Sequence, residues 1–210
     1  SSTTWGLPSM PPDHAIDGPE EAIRRLRADV QARDPAQFPV QHATSRFHLG
    51  VSLLGLGDLD GAVESLRIAA DLFPEQGMPV ERAKAVMMLG VALRDRGDLE
   101  AAMNAFAAAG RAFAEQDQAI ELAASSHNHG LVLRDLGRPE EARELFGHAL
   151  ATFEEADARE QASASARELG ASLLALERLD EAVEALERAM DLARRGGGRA
   201  AIGAAANVLG

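Results

Sequence analysis

The chain has 210 residues, of which 46% are hydrophobic, and its 33 acidic and 21 basic side chains give a formal charge of −12. This length and hydrophobic fraction suffice for one or two domains with a buried core. The negative charge argues against a non-specific nucleic-acid binder and against a binder of acidic membranes, because both need a cationic surface. Cysteine is absent, which excludes disulfides, thiolate zinc sites and cysteine nucleophiles.

Other common functional signals are also missing from the sequence. The chain's one lysine, Lys84, lies in Arg-Ala-Lys-Ala, so the Gly-Lys-Ser/Thr of a phosphate-binding loop is absent. No apolar run approaches the roughly 20 residues of a membrane span, and no secretory signal opens the chain. We therefore expect a cytoplasmic protein without membrane or nucleic-acid partners. Because the first residue is not methionine, we also expect a piece of a longer chain.

The sequence repeats with a period of forty residues. Glycines recur at Gly50, Gly90, Gly130, Gly170 and Gly210. Three further columns follow in register: a second glycine (Gly57, Gly97 and Gly137, then Glu177), an alanine (Ala62, Ala102, Ala142 and Ala182), and a phenylalanine or leucine (Leu66, Phe106, Phe146 and Leu186). A repeat of this length predicts stacked structural units, since one unit cannot bury its apolar face alone.

The period extends backwards from the first full repeat. Residues 1–14 contain Pro8, Pro11 and Pro12, which favour an extended segment. Residues 15–40 hold Ala22 and Leu26, forty before Ala62 and Leu66, and are predicted to form a half-repeat that caps the array.

Each full repeat is predicted to form two helices. In the second repeat an apolar stripe at three- and four-residue spacing runs from Ala85 to Leu93. Gly97 follows and suits a left-handed turn, and Asp98 suits the N-cap of the next helix. The sequence contains no run of alternating β-branched residues, so no β-strand is predicted.

The columns of small residues predict where helices approach each other. We expect Gly90 and Ala102 to lie at the closest approach within a repeat, and the phenylalanine and leucine column to fill the space between repeats. In the third repeat Pro139 suits a first helical position. Glu177 replaces a turn glycine, so a strained turn is expected there. The segment 199–210 is predicted to be the first helix of a fifth repeat.

These columns resemble the tetratricopeptide repeat, in the series Gly50, Gly57, Ala62, Leu66, Ala69 and Pro74 and in the series Gly90, Gly97, Ala102, Phe106 and Ala109. The period of forty exceeds the usual thirty-four and is similar to that of kinesin-light-chain-like arrays and bacterial regulators. The resemblance covers residues 41–210. It implies an all-α fold, an α-solenoid of antiparallel helix pairs in a right-handed superhelix, with four full repeats and part of a fifth.

In this family the first helix of each repeat lines a concave groove that binds protein partners. The resemblance therefore implies a binding set on the face of the first helices: Phe47, His48, Val51, Met87, Val91, Arg94, His127, Asn128, Leu131, Arg134 and Arg167. Apolar members suit an anchor from a peptide or helix, and arginines can hold carboxylates. In the alternative interpretation the apolar residues belong to the core and the arginines pair with neighbouring acids.

Two histidines interrupt the third repeat. His127 and His129 point to opposite faces of a helix, so they cannot chelate one metal ion together. We expect His127 on the groove face and His129 packed in the core.

The hypothesis from sequence is a non-catalytic scaffold that binds a protein or peptide, as part of a larger bacterial regulator. The alternative is a self-association module that forms homo-oligomers through its terminal helices. No catalytic motif is present, so neither an enzyme nor a cofactor is expected.

Overall fold

The computed structural model describes residues 18–75 and 77–196. These residues form nine α-helices and no strand: α1 (Pro19–Ala32), α2 (Pro39–Gly55), α3 (Leu59–Glu75), α4 (Pro79–Arg96), α5 (Leu99–Glu115), α6 (Ala119–Asp135), α7 (Pro139–Glu155), α8 (Arg159–Ala175) and α9 (Leu179–Arg195). The predicted extended segment 1–14, the start of the half-repeat at 15–17 and the predicted helix at 199–210 lie outside the described residues.

The helices belong to two compact units. The amino-terminal unit holds α1 to α5, and the carboxy-terminal unit holds α6 to α9. Within each unit every helix packs against the next along the chain. The helices α2, α4, α6 and α8 are called first helices here, and α3, α5, α7 and α9 second helices. No helix among the described residues combines the length and hydropathy that a bilayer crossing demands.

Proline marks the start of four helices. Pro19, Pro39, Pro79 and Pro139 each occupy the first helical turn, where an amide proton has no partner in any case. The prediction for Pro139 is therefore confirmed. Asp98 is the N-cap residue of α5, as expected, and its carbonyl oxygen accepts a hydrogen bond from the Ala102 amide at 2.9 Å. Its side chain makes no capping hydrogen bond, and its carboxylate instead accepts a hydrogen bond from Arg96 Nε at 2.6 Å.

The turns share a left-handed residue every twenty positions. Positive φ angles occur at Gly57, Gly77, Gly97, Asp117, Gly137, Asp157 and Glu177. Glu177 has φ 59°, which confirms the strained turn expected there, since a side chain in this region costs energy that glycine avoids. The structure adds Asp117 and Asp157, both with φ 53°, at turns that lead from one repeat to the next.

The first glycine of each repeat contacts the phenylalanine or leucine of the same repeat. A Cβ added at Gly90 would lie 2.9 Å from the Phe106 ring, and one at Gly130 would lie 2.8 Å from the Phe146 ring. The expectation that this aromatic column fills the space between repeats is thus corrected. Its rings occupy the room that the glycines leave inside a helix pair, where Phe106 and Phe146 are fully buried.

Candidate functional site on the first helices

In the amino-terminal unit, three of the predicted binding residues remain half-buried on the first helices: Phe47 and His48 of α2 and Arg94 of α4. Phe47 packs against a buried cluster that includes Phe73 and Ala85. Its ring meets the His48 ring edge-on, with centroids 5.5 Å apart. The packing orients Phe47 while part of its ring stays accessible, as an anchor for an apolar side chain requires.

In the carboxy-terminal unit, Arg134 of α6 and Arg167 of α8 converge on one carboxylate. Arg167 Nη2 lies 2.8 Å from Glu168 Oε1, and Arg134 Nη1 donates a hydrogen bond to Glu168 Oε2. Arg134 Nη2 also lies 3.2 Å from Asp135 Oδ1. Two cations and two anions balance in this network, so here the arginines pair with neighbouring acids, as the alternative interpretation holds. Glu168 is buried, and the pairing compensates its desolvation.

The other six predicted binding residues are buried: Val51, Met87, Val91, His127, Asn128 and Leu131. In this conformation their side chains lie beneath the surface of the first helices and determine how those helices pack. A partner reaches them only through repacking, so their direct contact with a partner stays a prediction.

His127 is 1% exposed, which corrects the expectation that it faces a groove. Its Nδ1 lies 2.9 Å from Ser165 Oγ on α8, and its ring meets the Phe146 ring edge-on with centroids 5.4 Å apart. Ser165 is 38 residues away in sequence, and its small side chain leaves room for the imidazole between α6 and α8. His127 is therefore a packing residue that links two neighbouring repeats.

His129 is half-buried, which corrects the expectation that it is packed in the core. Leu89 and Leu169 occupy the same column and are half-buried too. Burial is the main cause that lowers the pKa of His129 below 6.5, and the positive charge of Arg138 lowers it further, while Glu141 acts in the opposite direction.

Charge is distributed unequally between first and second helices. At neutral pH α2 carries the single charged residue Arg46, and α4 carries four cations against two acids. Their partners α3 and α5 are net acidic, with four acids against Arg67 in α3. In the other unit α6 and α8 nearly balance, whereas α7 carries five acids against Arg143. This segregation of charge was not predicted, although the helical periodicity and the positions of the charged residues in the sequence are enough to derive it.

The side chains of the described residues suit the binding of a peptide or protein better than the binding of a metal ion. Within the segments 18–75 and 77–196, no group of three or more histidine, aspartate or glutamate side chains lies close enough to hold a metal ion. The half-buried groups of α2 and α4 are guanidinium and ammonium donors, an imidazole and an aromatic ring, although the Nη1 atom of Arg94 is itself buried. Such groups recognise carboxylates and apolar side chains.

Three solved structures share the fold of this chain. The BtubC protein (BKLC) of P. vanneervenii has a TM-score of 0.72 at 19% identity, over 85% of this chain and 75% of its own. A Podosopora anserina protein with nearly identical TPR-like repeats of the kinesin light chain type has a TM-score of 0.71 at 20% identity, over 85% of this chain and 88% of its own. A Rap protein complexed with competence and sporulation factor has a TM-score of 0.69 at 20% identity, over 84% of this chain and 50% of its own.

These likenesses at low identity confirm the all-α solenoid of helical repeats. No curated protein matches the chain in sequence. Sequence models of the tetratricopeptide repeat match residues 17–77, 49–117 and 121–195. These matches cover most of the chain and agree with the forty-residue columns. The chain therefore belongs to the tetratricopeptide repeat family, whose helix pairs form protein–protein interaction scaffolds.

Proposed function

We propose that the chain binds an acidic peptide or helix of a partner protein on the exposed face of α2 and α4, without catalysing a reaction. The observation that carries this proposal is the charge of these two helices. They are net positive in a protein of formal charge −12, while the adjoining second helices α3 and α5 are net negative. Arg96 of α4 pairs with Asp60 and Asp98, so the other cations of α2 and α4 carry the attraction. The opposite net charges of the two kinds of helix favour an acidic partner on the first helices over the second helices.

Phe47 of α2 supplies an apolar contact for the partner. Its half-buried ring is held by the cluster around Phe73 and Ala85, so little conformational entropy is lost when a partner side chain packs on it. Lys84 and Arg94 of α4 are half-buried as well, and their cationic groups suit aspartate or glutamate side chains. A Rap protein of the same fold is complexed with competence and sporulation factor, which is a precedent for ligand binding on this fold.

A selection from a peptide library tests this proposal. Peptides displayed on phage are selected against the wild-type chain, and the affinity of the enriched peptides is then measured. We expect enrichment of aspartate and glutamate together with one large apolar residue. The double variant Lys84→Glu/Arg94→Glu should weaken binding by at least about tenfold, which corresponds to about 1.4 kcal/mol.

The matched control is Arg67→Glu/Arg111→Glu, which makes the same charge change on the exposed surface of α3 and α5. This control should keep the wild-type affinity within about twofold, a difference of about 0.4 kcal/mol. The proposal fails if no acidic sequence is enriched, or if both double variants bind equally well while their circular dichroism spectra match that of the wild type.

Self-association is the second candidate function, favoured by one observation on α9. Leu179 is 62% exposed and Val183 is 42% exposed, whereas Val63, three periods before Val183, is 3% exposed. Exposed apolar side chains one helical turn apart form a surface that a second copy can cover. Light scattering over a concentration series should then show a dimer that Leu179→Asp/Val183→Asp converts to a monomer. A wild-type monomer at all concentrations excludes this candidate.

A further inference from the structure

A groove of about 890 Å³ lies over α8, between the second helices α7 and α9. Leu169 and Leu173 of α8 line it and give it an apolar floor. Gly147 on α7 and Ala185 on α9 line the groove with little or no side chain and so leave it wide. A Cβ added at Gly147 would meet no atom within 4 Å. The groove therefore has room for several side chains of a bound segment.

The walls of this groove are acidic. Glu144 of α7 and Glu181 and Glu184 of α9 line it and are exposed. Arg143 Nη2 lies 2.8 Å from Glu140 Oε1 and 3.8 Å from Glu144 Oε1, and Arg178 Nη2 lies 2.6 Å from Glu181 Oε2. The walls stay net negative, because these two arginines face four glutamates once Glu184 is included. His148, the other basic group in the lining, is exposed to solvent. A leucine floor between glutamate walls matches a segment with apolar side chains on one face and cations beside them.

The corresponding place in the amino-terminal unit has different chemistry. Leu49 and Leu53, three periods before Leu169 and Leu173, line a cavity of only about 220 Å³. Arg27 occupies the position that Gly147 holds in the other unit. Arg27 and Arg46 line this smaller cavity with one acid, Glu64. The repeat geometry therefore creates a groove of this kind in both units. Of the two, the α7–α9 groove is the one that is both wide and acidic.

We propose that the α7–α9 groove docks a basic amphipathic segment of a partner protein. Apolar side chains of the segment pack on Leu169 and Leu173, and its lysine or arginine side chains face Glu144, Glu181 and Glu184. This site is separate from the acidic-peptide site proposed on α2 and α4, and it selects a partner of opposite charge. The scaffold then joins two partners, one on a first-helix face and one between second helices.

The test uses a fluorescein-labelled helical peptide of leucine and lysine residues as the probe. We expect saturable one-to-one binding in fluorescence anisotropy, and a control peptide with glutamate in place of lysine should not bind. The variant Gly147→Arg reproduces the chemistry of Arg27 in the smaller cavity. It should weaken binding by at least about tenfold, and it should leave the fold intact because the added side chain meets open space.

The matched control is Gly55→Arg, which adds the same charge at an exposed helical glycine outside the groove, where an added Cβ also meets open space. Gly55→Arg should bind the probe like the wild type. A milder variant, Glu144→Gln/Glu184→Gln, should lower the affinity and reduce its dependence on salt. Equal loss of affinity in Gly147→Arg and Gly55→Arg would show general attraction to an acidic protein and overturn the proposal. Absence of saturable binding to the wild type would overturn it as well.

Discussion

Residues with a left-handed backbone recur every twenty positions in the turns. Among them, Glu177 allows a direct test of backbone strain. Glu177 has φ 59°, while Gly137 holds the same place one repeat earlier with φ 71°. We predict that Glu177→Gly raises the free energy of unfolding by about 1 kcal/mol and that Gly137→Glu lowers it by about the same amount. Urea denaturation of both variants measures these changes. Changes of the same sign in the two variants would contradict the assignment of strain to the left-handed residue.

The helical glycines differ in the space around them, which predicts opposite effects of one substitution. A Cβ at Gly130 would lie 2.8 Å from the Phe146 ring, whereas one at Gly147 meets no atom within 4 Å. Gly130→Ala should therefore lower the free energy of unfolding by about 1–3 kcal/mol through overpacking. Gly147→Ala should raise it by about 0.5–1 kcal/mol, because alanine favours the helix. Chemical denaturation distinguishes the two, and equal effects would contradict the close packing of the glycine column.

His129 predicts a pH-dependent contribution to stability. Its pKa is lowered in the folded protein, mainly by burial and then by Arg138, so the unfolded chain binds the proton more readily. The contribution is complete above the unfolded pKa of about 6.5 and is lost as the pH falls below that value. His129→Leu, which restores the residue of Leu89 and Leu169, should therefore stabilise the protein more at pH 5 than at pH 8. Thermal denaturation at both pH values checks this, and an equal gain at both would contradict it.

Helix pairs of this kind depend on their neighbours for stability, and the Phe146 contact gives a test of that dependence. Phe146 is fully buried and packs against Gly130 of α6. Phe146→Ala should cost about 3–5 kcal/mol. Hydrogen exchange should then increase in α6 and α7 and also in α8, which packs on α7. An increase confined to α6 and α7 would show that this pair opens without its neighbour and would contradict the dependence.

The repeat columns predicted the helix pairs well because their causes are local. Gly97 and Glu177 have the left-handed or strained turns that their positions imply, and Pro139 begins its helix as expected. Features that depend on a distant partner were not predictable. His127 is buried because Ser165 leaves room for it, and the Asp98 side chain makes no capping hydrogen bond because Arg96 binds its carboxylate.

The candidate site was predictable only in part, for the same reason. Helical periodicity identified the first-helix face, but burial removes Met87 and Val91 from its accessible surface. The pairing of Arg134 with Glu168 depends on the packing of α6 with α8. The α7–α9 groove is wide where Gly147 lines it, whereas Arg27 lines the equivalent place in the smaller cavity, 120 residues earlier. This difference becomes visible only when the two places are compared in the structure.

The molecule as a whole separates charge according to helix type. The first helices α2 and α4 are net positive and α6 and α8 are nearly balanced, whereas the second helices are acidic, and the chain carries a formal charge of −12. Fields of this kind speed the encounter with a partner of opposite charge and are screened by salt. The central claim is that an acidic partner contacts the face of α2 and α4.

Lys84 makes that claim directly measurable, because it is the chain's only lysine and lies on α4. Trace acetylation is followed by mass spectrometry with and without a saturating amount of a selected acidic peptide, with the α-amino group of the chain as the reference. We predict that the bound peptide slows acetylation of Lys84 severalfold relative to the reference. An unchanged rate at Lys84 under saturating peptide would contradict binding at this face.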